Sequence, residues 1–123
     1  MKIIAILTAL TAIAFSSATQ AEPRPEHFKG KPSPNLTVAL VNLTESNAKL
    51  ASLLKKDALS SEDMLEVHML SYTIERALEK LGTEQARLAL LMEEVHVASE
   101  HGDAKTIKTS GAAYLKGAAP LLR

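Results

Sequence analysis

Apolar residues return every three or four positions along most of the chain, the pattern of helices that each bury one stripe. Leu36, Leu40, Leu43, Asn47, Leu50 and Leu54 alternate steps of four and three. They predict a first helix over 34–56, with Ser33 as N-cap and Pro34 at the first helical position, where a missing N–H costs nothing. Asn47 interrupts that seam, and a buried Asn there would fix register or pairing at some cost in stability.

A second helix is expected from Ser60 or Ser61, since Ser60 and Asp63 are spaced as a capping box. Its stripe is Val67, Leu70, Ile74, Ala77, Leu78 and Leu81. Gly82 suits the left-handed position just past a helix end, and Thr83 can cap a third helix. The stripe of that third helix is Leu88, Leu91, Met92, Val95 and Ala98, with Gly102 as its stop. Asp103 can cap a shorter fourth helix, Ala104 to Lys116, weakened by Gly111 and Gly117 and barred from running on by Pro120. Short connections make neighbouring helices antiparallel. The expected fold is therefore all-α, an up-down antiparallel bundle of three long helices plus a shorter fourth. It occupies residues 36–119, with a C-terminal tail over 120–123.

Two segments ahead of the bundle break the helical pattern. Residues 22–35 hold Pro23, Pro25, Pro32, Pro34 and Gly30, and so read as a Pro-rich extended arm. His27 and Phe28 are its candidate partner-binding side chains. Before the arm, Lys2 precedes the apolar run Ile3 to Phe15, which gives way to Ser16, Ser17, Ala18, Thr19, Gln20 and Ala21. That order predicts a cleavable signal peptide over 1–21, cut after Ala21 or, as second choice, Ala18. The run is shorter than the roughly 20 residues that span a bilayer. Export, and a periplasmic address, is the expectation.

Composition narrows the function classes. The chain has no cysteine, so the exported domain must hold by packing without disulfides, and neither lipid attachment nor c-type haem attachment through cysteine is open to it. Its formal net charge is zero, which provides no electrostatic drive towards nucleic acid or an anionic membrane surface. No Gly-rich phosphate loop and no supported Ser-His-Asp arrangement is present, so the expectation is a non-enzymatic protein.

One pattern carries candidate chemistry. Met64-Leu65-Glu66-Val67-His68 is echoed by Met92-Glu93-Glu94-Val95-His96, four heptads later. In a hairpin turning at Gly82, His68 and His96 would stand at equal height, each with a Met four residues before it. Two thioethers and two imidazoles suit a soft metal, copper(I) above all, so Met64, His68, Met92 and His96 form a candidate metal site for copper or haem. The competing reading is that the histidines lie at the margin of the core stripe and the methionines fill packing. A di-iron carboxylate site is disfavoured: Glu93 and His96 have the Glu-x-x-His spacing, but Leu65 stands where helix two needs the matching Glu. A Met/His bundle is thus the alternative to a helical module that binds a partner, such as a periplasmic protein, through a bundle face or the arm. The leucine seam of the first helix also suits a homodimer.

The stretches Glu22 to Pro32, Ser60 to His68 and Glu93 to Glu100 together resemble a family of small uncharacterised exported helical proteins of Gram-negative bacteria. The resemblance covers nearly the whole chain after the leader. It implies a periplasmic address and a helical fold, and brings no activity and no site residues.

Overall fold

A computed structural model of the chain describes residues 28–122. The expected signal peptide and the start of the expected arm lie outside the described residues. Among the described residues three helices follow one another: α1 (Leu36–Leu53), α2 (Ser61–Glu100) and α3 (Ala104–Ala118), with a short 3-10 turn at Ala119–Leu122. Among the described residues there is no strand, and no helix is long and apolar enough to cross a membrane.

The largest departure from expectation is α2. Helices two and three of the expected bundle are one helix of 40 residues, about 60 Å long. A hairpin at Gly82 would need a positive φ there, and only Gly30 and Gly102 adopt one among the described residues. The reason lies in the stripe itself. Asp63, Val67, Leu70, Ile74, Ala77, Leu81, Glu84, Leu88, Leu91, Val95 and Ala98 keep the four–three alternation straight through Gly82, and all of them are buried or half-buried. A single glycine costs about 1 kcal/mol in a helix interior, less than breaking a seam that stays in phase on both sides. Side chains also bridge the glycine: Thr83 donates its hydroxyl to the Glu79 carbonyl, and Glu84 pairs with Lys80 at 3.0 Å and Arg87 at 2.9 Å. These partners hold the Glu84 carboxyl below the usual carboxylate range, Arg87 first.

Helices α1 and α3 both pack on α2 and run antiparallel to it. Lys56, just past α1, pairs with Asp63 in the first turn of α2. Asn35 and Leu36, at the other end of α1, border the same groove as Glu84 and Arg87. Likewise Ser110 of α3 donates to Glu94, whereas Gly117, near the end of α3, stands against Arg87 and Leu88. The molecule is thus a rod with α2 as its spine, covered in its first half by α1 and in its second by α3. Expected as a bundle of four helices, the described chain is a single layer two helices wide.

Local chemistry sets the ends. Ser60 and Asp63 form a reciprocal capping box, Asp103 caps α3 through the amides of Lys105 and Thr106, and Gly102 turns the chain at φ +70°. Helix α1 starts later than expected. Its N-cap is Asn35, whose side chain accepts from the Val38 amide, and Ser33 is held elsewhere. Gly117 does not weaken α3 without return. A Cβ at Gly117 would come within 2.5 Å of Arg87 and 2.8 Å of Leu88, so the glycine lets the two helices approach closely.

The seam of α1 is rotated from the leucine series. Leu36, Ala39, Asn42, Ser46 and Leu53 are buried, Leu40, Leu43 and Leu50 only half so, and Asn47 and Leu54 are exposed. The buried Asn is therefore Asn42 and not Asn47. Small residues at Ala39 and Ser46 face the spine and bring the helices together, which turns the leucines towards the edge.

Candidate functional site

Residues 28–34 carry no regular secondary structure and lie along the flank of the α1–α2 pair. Several contacts pin them there. The Lys31 amide donates to the Thr73 hydroxyl at 3.1 Å, and Asn42 donates its side-chain amide to the Pro32 carbonyl at 3.2 Å and the Ser33 hydroxyl at 3.0 Å. Buried polar groups at Asn42 and Thr73 are thereby satisfied by the arm rather than by water. Gly30 makes this docking possible. Its φ of +74° favours glycine, and a Cβ there would lie 2.7 Å from the backbone carbonyl of Tyr72.

Phe28 packs edge-on against Tyr72 at 6.2 Å, and Tyr72 packs edge-on against His68 at 4.9 Å. This aromatic chain places Phe28 at the head of a cleft of about 500 Å³ between the arm, α1 and α2. The apolar floor of the cleft is Phe28, Leu65, Met69 and Leu70, with Ser46 and Thr73 beneath. Its rim mixes charges: Lys31, Glu45 and Lys49 on the α1 side, Glu62 and Glu66 on the α2 side. Lys31 and Glu45 are paired at 2.9 Å, and the hydrogen bond from Lys31 holds the Glu45 carboxyl below its ordinary range. An apolar floor between rims of both signs fits an uncharged or amphipathic guest better than an anion or a cation.

At the end of the rod, hydrogen bonds from Lys56 and Ser60 hold the Asp63 carboxyl down to about 2. This aspartate is already used twice, as a helix cap and as an ion-pair partner. Its perturbation is structural.

The sequence singled out Met64, His68, Met92 and His96, and the structure does not bring them together. On the unbroken α2 the two histidines stand 28 residues apart, about 42 Å along the axis. His68 joins the aromatic chain with Tyr72, while His96 pairs with Glu100 at 3.3 Å. Among the described residues no group of three or more His, Cys, Asp or Glu is placed to hold a metal ion. His101, at the end of α2, donates its ring N–H to the Val97 carbonyl at 2.8 Å.

Of the two arm residues expected to reach a partner, His27 lies outside the described residues. Phe28 is half-buried at the cleft. Leu65 and Met69 were missed by sequence reasoning because they stand off the main stripe of α2, and Met69 was passed over in favour of the Met–His pairs. The signal available was the pair of surplus apolar side chains four residues apart on one turn of helix.

No curated protein and no solved structure shows significant similarity to the chain. A family model does match, over residues 1–123, and on that match the chain belongs to a family of unknown function, DUF6746.

Proposed function

We propose that the protein is an exported, non-enzymatic binding module that takes an apolar segment of a partner protein into the cleft between the arm, α1 and α2. The observation that carries this reading is the cleft itself, an apolar floor at Phe28, Leu65, Met69 and Leu70 left uncovered between charged rims. Soluble proteins seldom leave such surface open without a use for it. The rims supply hydrogen bonds and both signs of charge for the flanking backbone and side chains of a guest. Nothing in the cleft resembles a nucleophile activated by a base, which supports binding over catalysis. Export is supported by the order of residues 2–21, a lysine, an apolar run and then small residues. In that setting the partner would be a periplasmic protein.

The test uses the methionine methyl groups, of which the chain has four. With these methyls labelled, an amphipathic leucine-rich peptide titrated into the protein shifts the Met69 resonance by NMR, and Leu65→Asp abolishes the shift. A Met69 resonance unmoved at saturating peptide refutes the reading.

A further inference from the structure

The flank of the rod opposite the arm presents a second stripe, uncharged, with large apolar side chains at every other position, and independent of the cleft. Along α2 the seam is bordered on one side by Thr73, Lys80 and Glu94, the side that meets the arm and Ser110. On its other side stand Met64, Ser71, Leu78, Gln85, Met92 and Ser99, one every seven residues and none of them charged. Met64, Leu78 and Met92 are 55%, 51% and 41% exposed. In an antiparallel helix pair the positions flanking the seam on one side lie together. Leu40, Asn47 and Leu54 of α1, the last 66% exposed, therefore join the same flank, with Leu40 half-buried beside Pro120 and Leu121 and with Leu43 and Leu50 half-open next to it.

A layer two helices wide and one thick explains why these side chains are uncovered. Each of α1 and α3 has the spine as its main neighbour, so each helix hides one narrow stripe where a bundle helix hides a wide one. Among the described residues no large side chain is fully buried, and four of the seven buried apolar residues are alanine. Such a core is slight for a chain without disulfides.

We propose that this flank is covered by a second copy of the chain, packed antiparallel about a two-fold axis at Leu78. Spacing selects the register. Met64 and Met92 lie fourteen residues either side of Leu78. A two-fold there sets Leu78 against the partner's Leu78, Met64 against the partner's Met92, and Ser71 against the partner's Gln85. Each contact then recurs in reverse, as an isologous interface requires. The stripe brings no like charges together, and the chain's zero net charge provides no long-range repulsion between copies. Area suffices as well. A rod about 60 Å long and two helices, roughly 20 Å, across offers about 1,200 Å² on one side, against the roughly 800 Å² per partner of a stable dimer. Two layers joined in this way put four helices in the cross-section, closing the core that one chain leaves open.

Because the chain has no cysteine, single cysteines report the contact directly. The purified protein is expected to sediment as a dimer, with a melting temperature that rises with concentration. Leu78→Cys, a mild change, is expected to form a disulfide-linked dimer on oxidation. Met64→Cys and Met92→Cys are each expected to stay uncrosslinked alone and to crosslink when mixed. Leu78→Glu, which sets two carboxylates face to face, is expected to raise the dimer dissociation constant at least roughly tenfold. A protein that sediments as a monomer at every concentration, with no crosslinking by Leu78→Cys, overturns the proposal. So does crosslinking of Met64→Cys or Met92→Cys alone in place of the mixture. The Met69 methyl shift tests the cleft separately, so the two readings fail independently.

Discussion

The two flanks of the rod solve the same problem in opposite ways. On the arm flank the α1–α2 seam is bordered by polar residues, Asn42 and Thr73, and the arm satisfies them: its Lys31 amide donates to Thr73, and its Pro32 carbonyl and Ser33 hydroxyl accept from Asn42. On the other flank the seam is bordered by Met64, Leu78, Met92 and Leu54, which the described chain leaves open. Polar groups withdrawn from water need specific partners at fixed angles, so the flank that carries them is tied to one local segment. Apolar groups need only to be covered, so the other flank accepts any surface of matching shape, another copy included. On the two proposals made above, the first flank would serve as a site and the second as a contact.

The sharpest way to break this comparison is at Gly30. Replacing Gly30 with Ala forces a side chain into a left-handed backbone position and against the Tyr72 carbonyl. The φ alone should cost about 1–3 kcal/mol. In hydrogen exchange the Lys31 amide should lose protection, while Leu78→Cys should crosslink as before. Next comes Asn42→Ala. It removes both hydrogen bonds to the arm and should lower stability in urea by about 1–2 kcal/mol, with the peptide-dependent Met69 shift weakened as Phe28 loosens.

Gly82 tests the spine that both flanks share. On a continuous helix with open space around it, Gly82→Ala should stabilise by about 1 kcal/mol in thermal melts. In a hairpin the same change would destabilise, because alanine resists the positive φ that the turn requires.

The smallest effect should come from pH. The Asp63 carboxyl titrates near 2 in the folded protein, below the roughly 3.9 of an unfolded aspartate. Its contribution to stability is therefore complete above the unfolded value and is lost as pH falls through about 2. Melting temperature should drop between about pH 4 and 2. Asp63→Asn should flatten part of that slope. Glu45, Glu84 and Asp103, also held below their ordinary ranges, add to the slope in the same direction.

How much of this was legible in the chain varied with range. The capping box at Ser60, the cap at Asp103 and the turn at Gly102 were readable because each is a bargain among residues within four positions of one another. The four-heptad offset between the Met64 and Met92 segments left the continuity of α2 open, since an unbroken helix and a hairpin turning at Gly82 both keep it. Gly82 reads as a stop because glycine is what a helix end favours. Favouring an end and making one differ by the energy of the seam that would be lost. The cleft was hidden because its floor draws Phe28 from the arm and Leu65, Met69 and Leu70 from α2, parts joined only when the arm docks.

By itself, then, the sequence determined that the chain is helical, where most of its helices begin and end, and which stripes are apolar. Those properties follow from hydrogen bonds and periodicities within a few residues. Tertiary structure alone decided that Gly82 stays helical, that Asn42 rather than Asn47 is buried, and that the Met–His pairs stand about 42 Å apart on one spine. Each of those depends on what packs against the residue from far along the chain, and a local pattern is silent about its neighbours across the fold.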